Sequence, residues 1–308
     1  YDAVGNLSAQ SGAASATTQA PSSENIINAV SCSQADVQTA INSASTGYTV
    51  SIPTGTCTWT SGITLTKKIS IIGSTSGCPA ACNDATTINM GTITPFTVTG
   101  ESGFRISGIT FAGNGSGNGA IYINKGGTGS LTDWRVDHNH FKDITGRGIS
   151  VGSYASVLGS GRDWPGLIDN NRFSATYRFK AVEVYGGSLT THGEWDEALA
   201  LGGPNFLFIE DNYMVHSAMN EGVSSMDSDT GGRVVFRHNT LTNGDISFHG
   251  VEGSISNLWR SSHGWEIYNN TFNSTVNHIF QINIRGGTGV IYENSFTGTR
   301  TGFNPVRY

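Results

Sequence analysis

Charge is scarce in this sequence: 13% of its 308 residues are Asp, Glu, Lys or Arg, and the formal net charge is −6. No basic stripe is concentrated anywhere along it, which argues against a nucleic-acid partner. Apolar runs are short, and none approaches the roughly 18 residues a bilayer-spanning helix requires. Proline is rare, at 7 residues, too few for a proline-rich disordered chain. Cysteine is limited to Cys32, Cys57, Cys78 and Cys82. No histidine lies near these four, and their spacing fits no common zinc pattern, so two disulfides in an oxidising compartment are expected. The short Cys-Pro-Ala-Ala-Cys loop closes most easily on itself, which gives the pairing Cys78–Cys82 and Cys32–Cys57. The first residue is Tyr1 rather than Met, so a removed signal peptide and a secreted protein are expected.

Glycine is abundant instead, at 41 residues with no three-residue period. That excludes collagen and points to many tight turns between short strands. Residues 1–28 are rich in Ser, Ala, Thr, Gly and Gln, with Asp2 and Glu24 their only charges. Alone, such a segment buries too little apolar area to offset its ordering entropy. It is expected to be a tail, ordered only against its own domain or a neighbouring subunit. Residues 29–308 form the domain proper. In the stretch 33–44, Val37, Ala40, Ile41 and Ala44 fall at helical spacing after Ser31 and Ser33. This predicts a short capped helix, suited to covering the open end of a stack of strands.

From residue 104 a repeat sets the fold. Phe104–Phe111, Trp134–Phe141, Gly166–Phe173, Leu207–Met214, Val234–Leu241, Trp265–Phe272 and Gly289–Phe296 share one pattern, spaced 30, 32, 41, 27, 31 and 24 residues apart. Such periods indicate stacked supersecondary units, with variable loops inserted on a constant coil. Six copies carry Asn two places before the terminal apolar residue: Asn139, Asn171, Asn212, Asn239, Asn270 and Asn294. Stacking would place these at the strand separation of about 4.8 Å. They are read as a structural ladder in which Asn adopts the left-handed corner conformation and bonds along the stack. Second strands come after each marker, and alternation sends Ile121, Ile123, Ile149, Val151, Val182, Val184, Ile246, Phe248, Phe280, Ile282 and Ile284 inward. It leaves Tyr122, Asn124, Glu183, Tyr185, Ser247, His249, Gln281, Asn283 and Arg285 on one outer face. The expected fold is all-β, a single-stranded right-handed parallel β-helix with a short N-terminal capping helix.

The helix-then-strand opening and the repeated apolar-x-apolar-x-x-Asn-x-Phe coil resemble the pectate-lyase-like superfamily, over roughly residues 31–300. Gly231–Asn239 and Arg285–Gly289 also resemble secreted bacterial members of uncharacterised activity. The superfamily hosts polysaccharide lyases, polygalacturonase-type hydrolases, pectin esterases, tailspikes and adhesins, so the resemblance implies a carbohydrate partner without a reaction. The lyase reading takes Arg285 as base, with Lys125 and Arg260 behind it, and Glu183, Asp227 and Asp229 as calcium ligands. The family's three-carboxylate calcium pattern is missing from the chain. The hydrolase reading takes Asp227/Asp229, His249-Gly250 and Arg285, in the same order as the polygalacturonase motifs. Gly286-Gly287 replaces the x-Lys after that arginine, and no Asn-Thr-Asp precedes the pair.

Catalytic candidates are therefore Asp227, Asp229, His249 and Arg285, and substrate-contacting candidates Glu183, Tyr185, Trp195 and Arg260. Trp195 sits with His192 in the longest insertion, where it either stacks on sugar or folds over the wall. His138, His140 and His238 are given packing or ladder roles. Against all of this stands a bland reading, in which Asp227 and Asp229 cap a loop and His249 and Arg285 are solvated surface residues. A polysaccharide-degrading enzyme is the favoured function. The alternative is a structural or adhesive extracellular protein, such as a filament subunit joined to copies of itself through its tail.

Overall fold

The structure, a computed structural model, describes residues 25–113, 119–125, 130–152, 164–175, 180–186, 198–216, 224–254, 257–275, 280–298 and 305–308. Three parallel sheets of ten, nine and nine strands run its length. In each coil the chain passes from sheet I (as Trp134–Asp137) round a corner to sheet II (His140–Lys142), then to sheet III (Arg147–Val151), then back to sheet I. Each return is a parallel crossover, and such crossovers are right-handed almost without exception. The result is the right-handed parallel β-helix expected from the repeat.

The core consists of three stacks of like residues. Ile106, Val136, Ile168, Ile209, Phe236 and Ile267 pair in register along sheet I. Phe111, Phe141, Phe173, Met214, Leu241 and Phe272 do so along sheet II. Ile121, Ile149, Val182, Met226, Ile246 and Ile282 form the third. All eighteen are fully excluded from solvent, each worth about 1.5–3 kcal/mol of apolar burial. The terminal apolar residue of the sequence motif is thus the inward residue of sheet II, with Phe141 and Phe173 stacked at 4.6 Å. Of the residues expected inside, Phe280 is only half-buried. It precedes strand Ile282–Ile284, and the Arg307 guanidinium lies 5.6 Å from its ring centroid.

The asparagines form the expected ladder, by a different local geometry. The left-handed residue at each corner is the one before the ladder asparagine: His138, Asn170, Asp211, His238, Asn269 and Glu293, with φ between 52° and 56°. Each ladder asparagine instead keeps its amide free to bridge coils. Asn139 donates its backbone N–H and its Nδ2 to Asn171 Oδ1, at 3.0 and 3.1 Å. Asn171 Nδ2 donates to Val136 O, and the pattern recurs through Asn212, Asn239, Asn270 and Asn294. Side-chain amides thereby satisfy buried corner N–H groups that no sheet ladder reaches. The first copy of the repeat has Gly108-Ile109 at this corner, and the Ile109 N–H donates to Asn139 Oδ1.

Helix Gln34–Ser43 covers the N-terminal end, burying Val37, Ala40 and Ile41. Ser33 Oγ accepts from the Asp36 N–H as N-cap, and Lys67 Nζ donates to the carbonyls of Ile41, Asn42 and Ala44 at the other end. Both disulfides, Cys32–Cys57 and Cys78–Cys82, are paired as expected.

Candidate active site on the outer face of sheet III

Sheet III presents two adjacent rows of polar side chains. In one row, Ser150, Glu183, Asp227, Ser247 and Asn283 are successive register partners. Two residues further along, Tyr185 pairs with Asp229, and His249 and Arg285 continue that register through backbone bonds to Ser228 O and Phe248 O. Glu183, Tyr185, Asp227, Asp229, His249 and Arg285, drawn from four coils, therefore share one side of the solenoid. Parallel strands in register with a period of two require this.

The face is layered by charge. Glu183, Asp227 and Asp229 form a floor, 2%, 5% and 2% exposed, and cations cover it. Arg147 pairs with Glu183, and Lys180 Nζ lies 2.5 Å from both Glu183 Oε1 and Asp227 Oδ2. His249 Nε2 lies 2.8 Å from Asp227 Oδ1, and its Nδ1 is 3.8 Å from Asp229 Oδ2. Arg285, exposed, donates from Nη2 to His249 Nδ1 at 2.5 Å. Tyr185 is buried, with its hydroxyl 3.4 Å from Arg147 Nη2.

Burial opposes ionisation of Asp227, but the His249 hydrogen bond and the Lys180 charge outweigh it and hold the carboxyl below its usual range. For His249, burial disfavours the imidazolium, yet the hydrogen bond and charge of Asp227 prevail and raise its pKa. An Nδ1 that accepts from Arg285 leaves the ring proton on Nε2, facing Asp227. Lys180 is likewise held in its charged form, burial being overcome by Asp227 and Glu183.

Arg147 and Lys180 escaped the alternation rule. Each is the first residue of its strand and the register partner of the other. Strict alternation from Ile149 and Val182 would turn both inward; at the corner the pleat gives way and their long side chains reach the outer face. No local signal marks them, since the three-residue step to Ser150 and Glu183 is out of phase with a strand's period of two. Of the other candidates, Arg260 is half-buried just past strand Asn257–Trp259 and Lys125 is exposed past strand Ile121–Ile123. Trp195 and His192 lie outside the described residues.

The pair His249-Gly250 matches a polygalacturonase motif in sequence, but its glycine has a local cause. A Cβ on Gly250 would sit 2.7 Å from the Arg285 carbonyl oxygen, so the corner admits no side chain. Calcium, implied by the resemblance, does not suit this floor. A calcium ion takes six to eight oxygens, whereas Glu183 and Asp227 are committed to Arg147, Lys180 and His249. Among the described residues no group of three or more His, Cys, Asp or Glu is arranged to hold a metal ion.

No protein-family model matches the sequence, and neither does any curated protein. Solved structures do. An alginate lyase from Paenibacillus sp. str. FPU-7 is 15% identical over 92% of this chain and 99% of its own, with a TM-score of 0.53. A PL6 family alginate lyase is 16% identical over 84% of this chain and 34% of its own, with a TM-score of 0.48. The catalytic domain of a GH87 α-1,3-glucanase, in complex with nigerose, is 14% identical over 96% of this chain and 59% of its own, with a TM-score of 0.35. The chain shares with the first of these a right-handed parallel β-helix fold.

Proposed function

We propose that this protein is an extracellular polysaccharide lyase acting on an acidic, uronate-containing polymer along the outer face of sheet III. The observation that carries the reading is the cationic cover of Arg147, Lys180 and Arg285, with the His249 imidazole among them, over three buried carboxylates. Partly exposed cations on a long open face suit a polymer bearing a carboxylate on each sugar. Binding of one carboxylate by Arg285 would draw that arginine off His249 and free Nδ1. His249, oriented by Asp227, then takes the proton beside the carboxylate. The electron pair forms the ring double bond as the glycosidic C–O bond breaks, and the leaving oxygen takes a proton from water. The alginate-lyase likeness agrees with this reading.

Hydrolysis by the pair Asp227 and Asp229 would need Asp229 as the protonated member, since Asp227 is held ionised between Lys180 and His249. The test is to incubate the protein with alginate, polygalacturonate and a neutral glucan, following 235 nm absorbance and reducing ends. New absorbance on an acidic polymer that is lost in Lys180→Ala and His249→Ala supports the lyase. Reducing ends without absorbance overturn it in favour of hydrolysis.

A second reading, a filament or adhesive subunit, draws on the far end of the solenoid. Strands Thr288–Tyr292, Ser295–Gly298 and Val306–Arg307 terminate the three sheets among the described residues, with Val290 39% and Tyr292 45% exposed. An uncovered end of this kind accepts a further strand. Light scattering on the full chain and on a deletion of residues 1–28 decides. Large species from the full chain alone favour assembly through the tail, and two monomers remove this reading.

A further inference from the structure

A second constellation lies on the outer face of sheet II, away from the sheet III rows. His140 and Arg172 are register partners on neighbouring strands, as are Lys142 and Ser174. The loop closed by Cys78–Cys82 arches over them, and Arg172 Nη1 donates to the carbonyls of Pro79 and Ala80. Just past the disulfide, Asp84 adopts a left-handed conformation with φ of 49°. Its Oδ1 lies 2.6 Å from His140 Nδ1, and His140 Nε2 lies 2.7 Å from Ser174 Oγ. Thr110 Oγ1 donates to Asp84 Oδ1 at 2.9 Å, and Lys142 Nζ is 3.2 Å from Oδ2. His140 is 7% exposed, Asp84 and Ser174 are half-buried, and Lys142 is exposed.

Carboxylate, imidazole and hydroxyl in linear contact are the arrangement that activates a serine: the acid fixes the tautomer and the base accepts the hydroxyl proton. We propose that Asp84, His140 and Ser174 form a nucleophilic triad for hydrolysis of a small acyl ester. Ser174 Oγ attacks the ester carbonyl while its proton passes to His140 Nε2. The tetrahedral adduct collapses, the alcohol leaves with that proton, and an acyl-serine remains. Water then attacks, again giving its proton to His140, and the carboxylic acid departs as Ser174 is regenerated. Ester and water become alcohol and acid, and no other reactant is consumed. Lys142 Nζ, 3.2 Å from Asp84 Oδ2, pins the acid end of the triad. Ser174, half-buried, and Lys142, exposed, keep solvent access beside the disulfide-closed loop, which suits a short acyl group carried on a larger molecule.

The protonation states agree. Burial leads in depressing the pKa of His140, and the charges of Arg172 and Lys142 add to it against the pull of Asp84. The net direction is downward, so the ring is a neutral acceptor at neutral pH. Burial disfavours the Asp84 carboxylate, but His140, Thr110 and Lys142 outweigh it and keep it ionised.

The test uses the full chain with a fluorophosphonate probe and p-nitrophenyl acetate. The expected result is one covalent adduct, located on Ser174 by peptide mass, with ester hydrolysis lost in Ser174→Ala. Asp84→Asn should slow both by on the order of 10²-fold or more. The rate should rise with pH through an apparent pKa below the ordinary histidine value. Absence of a Ser174 adduct from folded protein, or an adduct forming equally fast in Asp84→Asn, overturns the proposal. Circular dichroism of Ser174→Ala and Asp84→Asn separates these outcomes from misfolding.

Discussion

At the residue scale, side chains that link coils matter more than their solvent exposure suggests. Asn212 Oδ1 accepts from the Asn171 N–H and Nδ2, and its own Nδ2 donates to Ile168 O, Glu210 O and Asn239 Oδ1. Asn212→Ala leaves the buried Asn171 N–H and the Asn239 amide oxygen short of partners. An unsatisfied buried group costs about 1–3 kcal/mol, so a loss of about 3 kcal/mol is expected, read as a lower urea midpoint with unchanged slope. Asp137 is a second such residue, its side chain fully buried and held by Arg105 Nε and Nη2 at 2.7 and 2.5 Å. Burial pushes its carboxyl up, but Arg105, His138 and Arg135 pull it from 3.8 down to about 2. A depressed folded-state pKa gives stability that is present above pH 3.8 and lost as pH falls through about 2. At 1.36 kcal/mol per unit this is about 2 kcal/mol. Arg105→Met should remove most of it and move acid unfolding to higher pH, seen by far-UV circular dichroism against pH.

At the element scale, the outer row of sheet III acts as one unit because its strands are fixed in register. His249 must be unprotonated to act as base, so lyase activity should rise with pH through its raised pKa. Asp227→Asn removes the charge that raises it. The acid limb of the pH–rate profile should then shift to lower pH while the maximal rate drops, since the ring also loses its orienting partner. A drop in rate with an unmoved limb would remove His249 from the base role. The same logic applies to Lys180, shared by Glu183 and Asp227. Lys180→Ala should lower kcat/KM on an acidic polymer by on the order of 10²-fold, because loss of the cation leaves two buried carboxylates facing substrate.

At the scale of the whole molecule, a solenoid's coils contact only their neighbours, so its ends govern local opening. Helix Gln34–Ser43, with its capping serine and Lys67, seals one end, while strands Thr288–Tyr292 and Ser295–Gly298 are largely exposed at the other. Amide exchange should therefore be fastest in residues 288–298 and slowest in the central strands around Val182, Met226 and Ile246. Equal protection at both ends would show that something covers the last coil.

The sequence by itself determined the coil. Seven apolar-x-apolar repeats, six asparagines and short alternating strands leave no other arrangement that buries Phe141, Phe173 and Phe272 in one column. Period-two alternation then predicts the outward row of Glu183, Tyr185, His249 and Arg285, because a strand's pleat is a local property; Asp227 and Asp229 enter the sequence reading as a carboxylate pair, and strand Ser224–Asp229 places them in that row. Tertiary structure decided what alternation does not reach. Arg147 and Lys180 join the site from strand ends, where the corner breaks the pleat. The left-handed corner residue precedes the asparagine rather than being it, since the amide is needed to bridge coils. Asp84, His140 and Ser174 are 56 and 34 residues apart and carry no local motif. Only the stacking of coils and the disulfide-closed loop bring them within hydrogen-bond reach, because register between coils is set by packing along the whole solenoid rather than by any one segment.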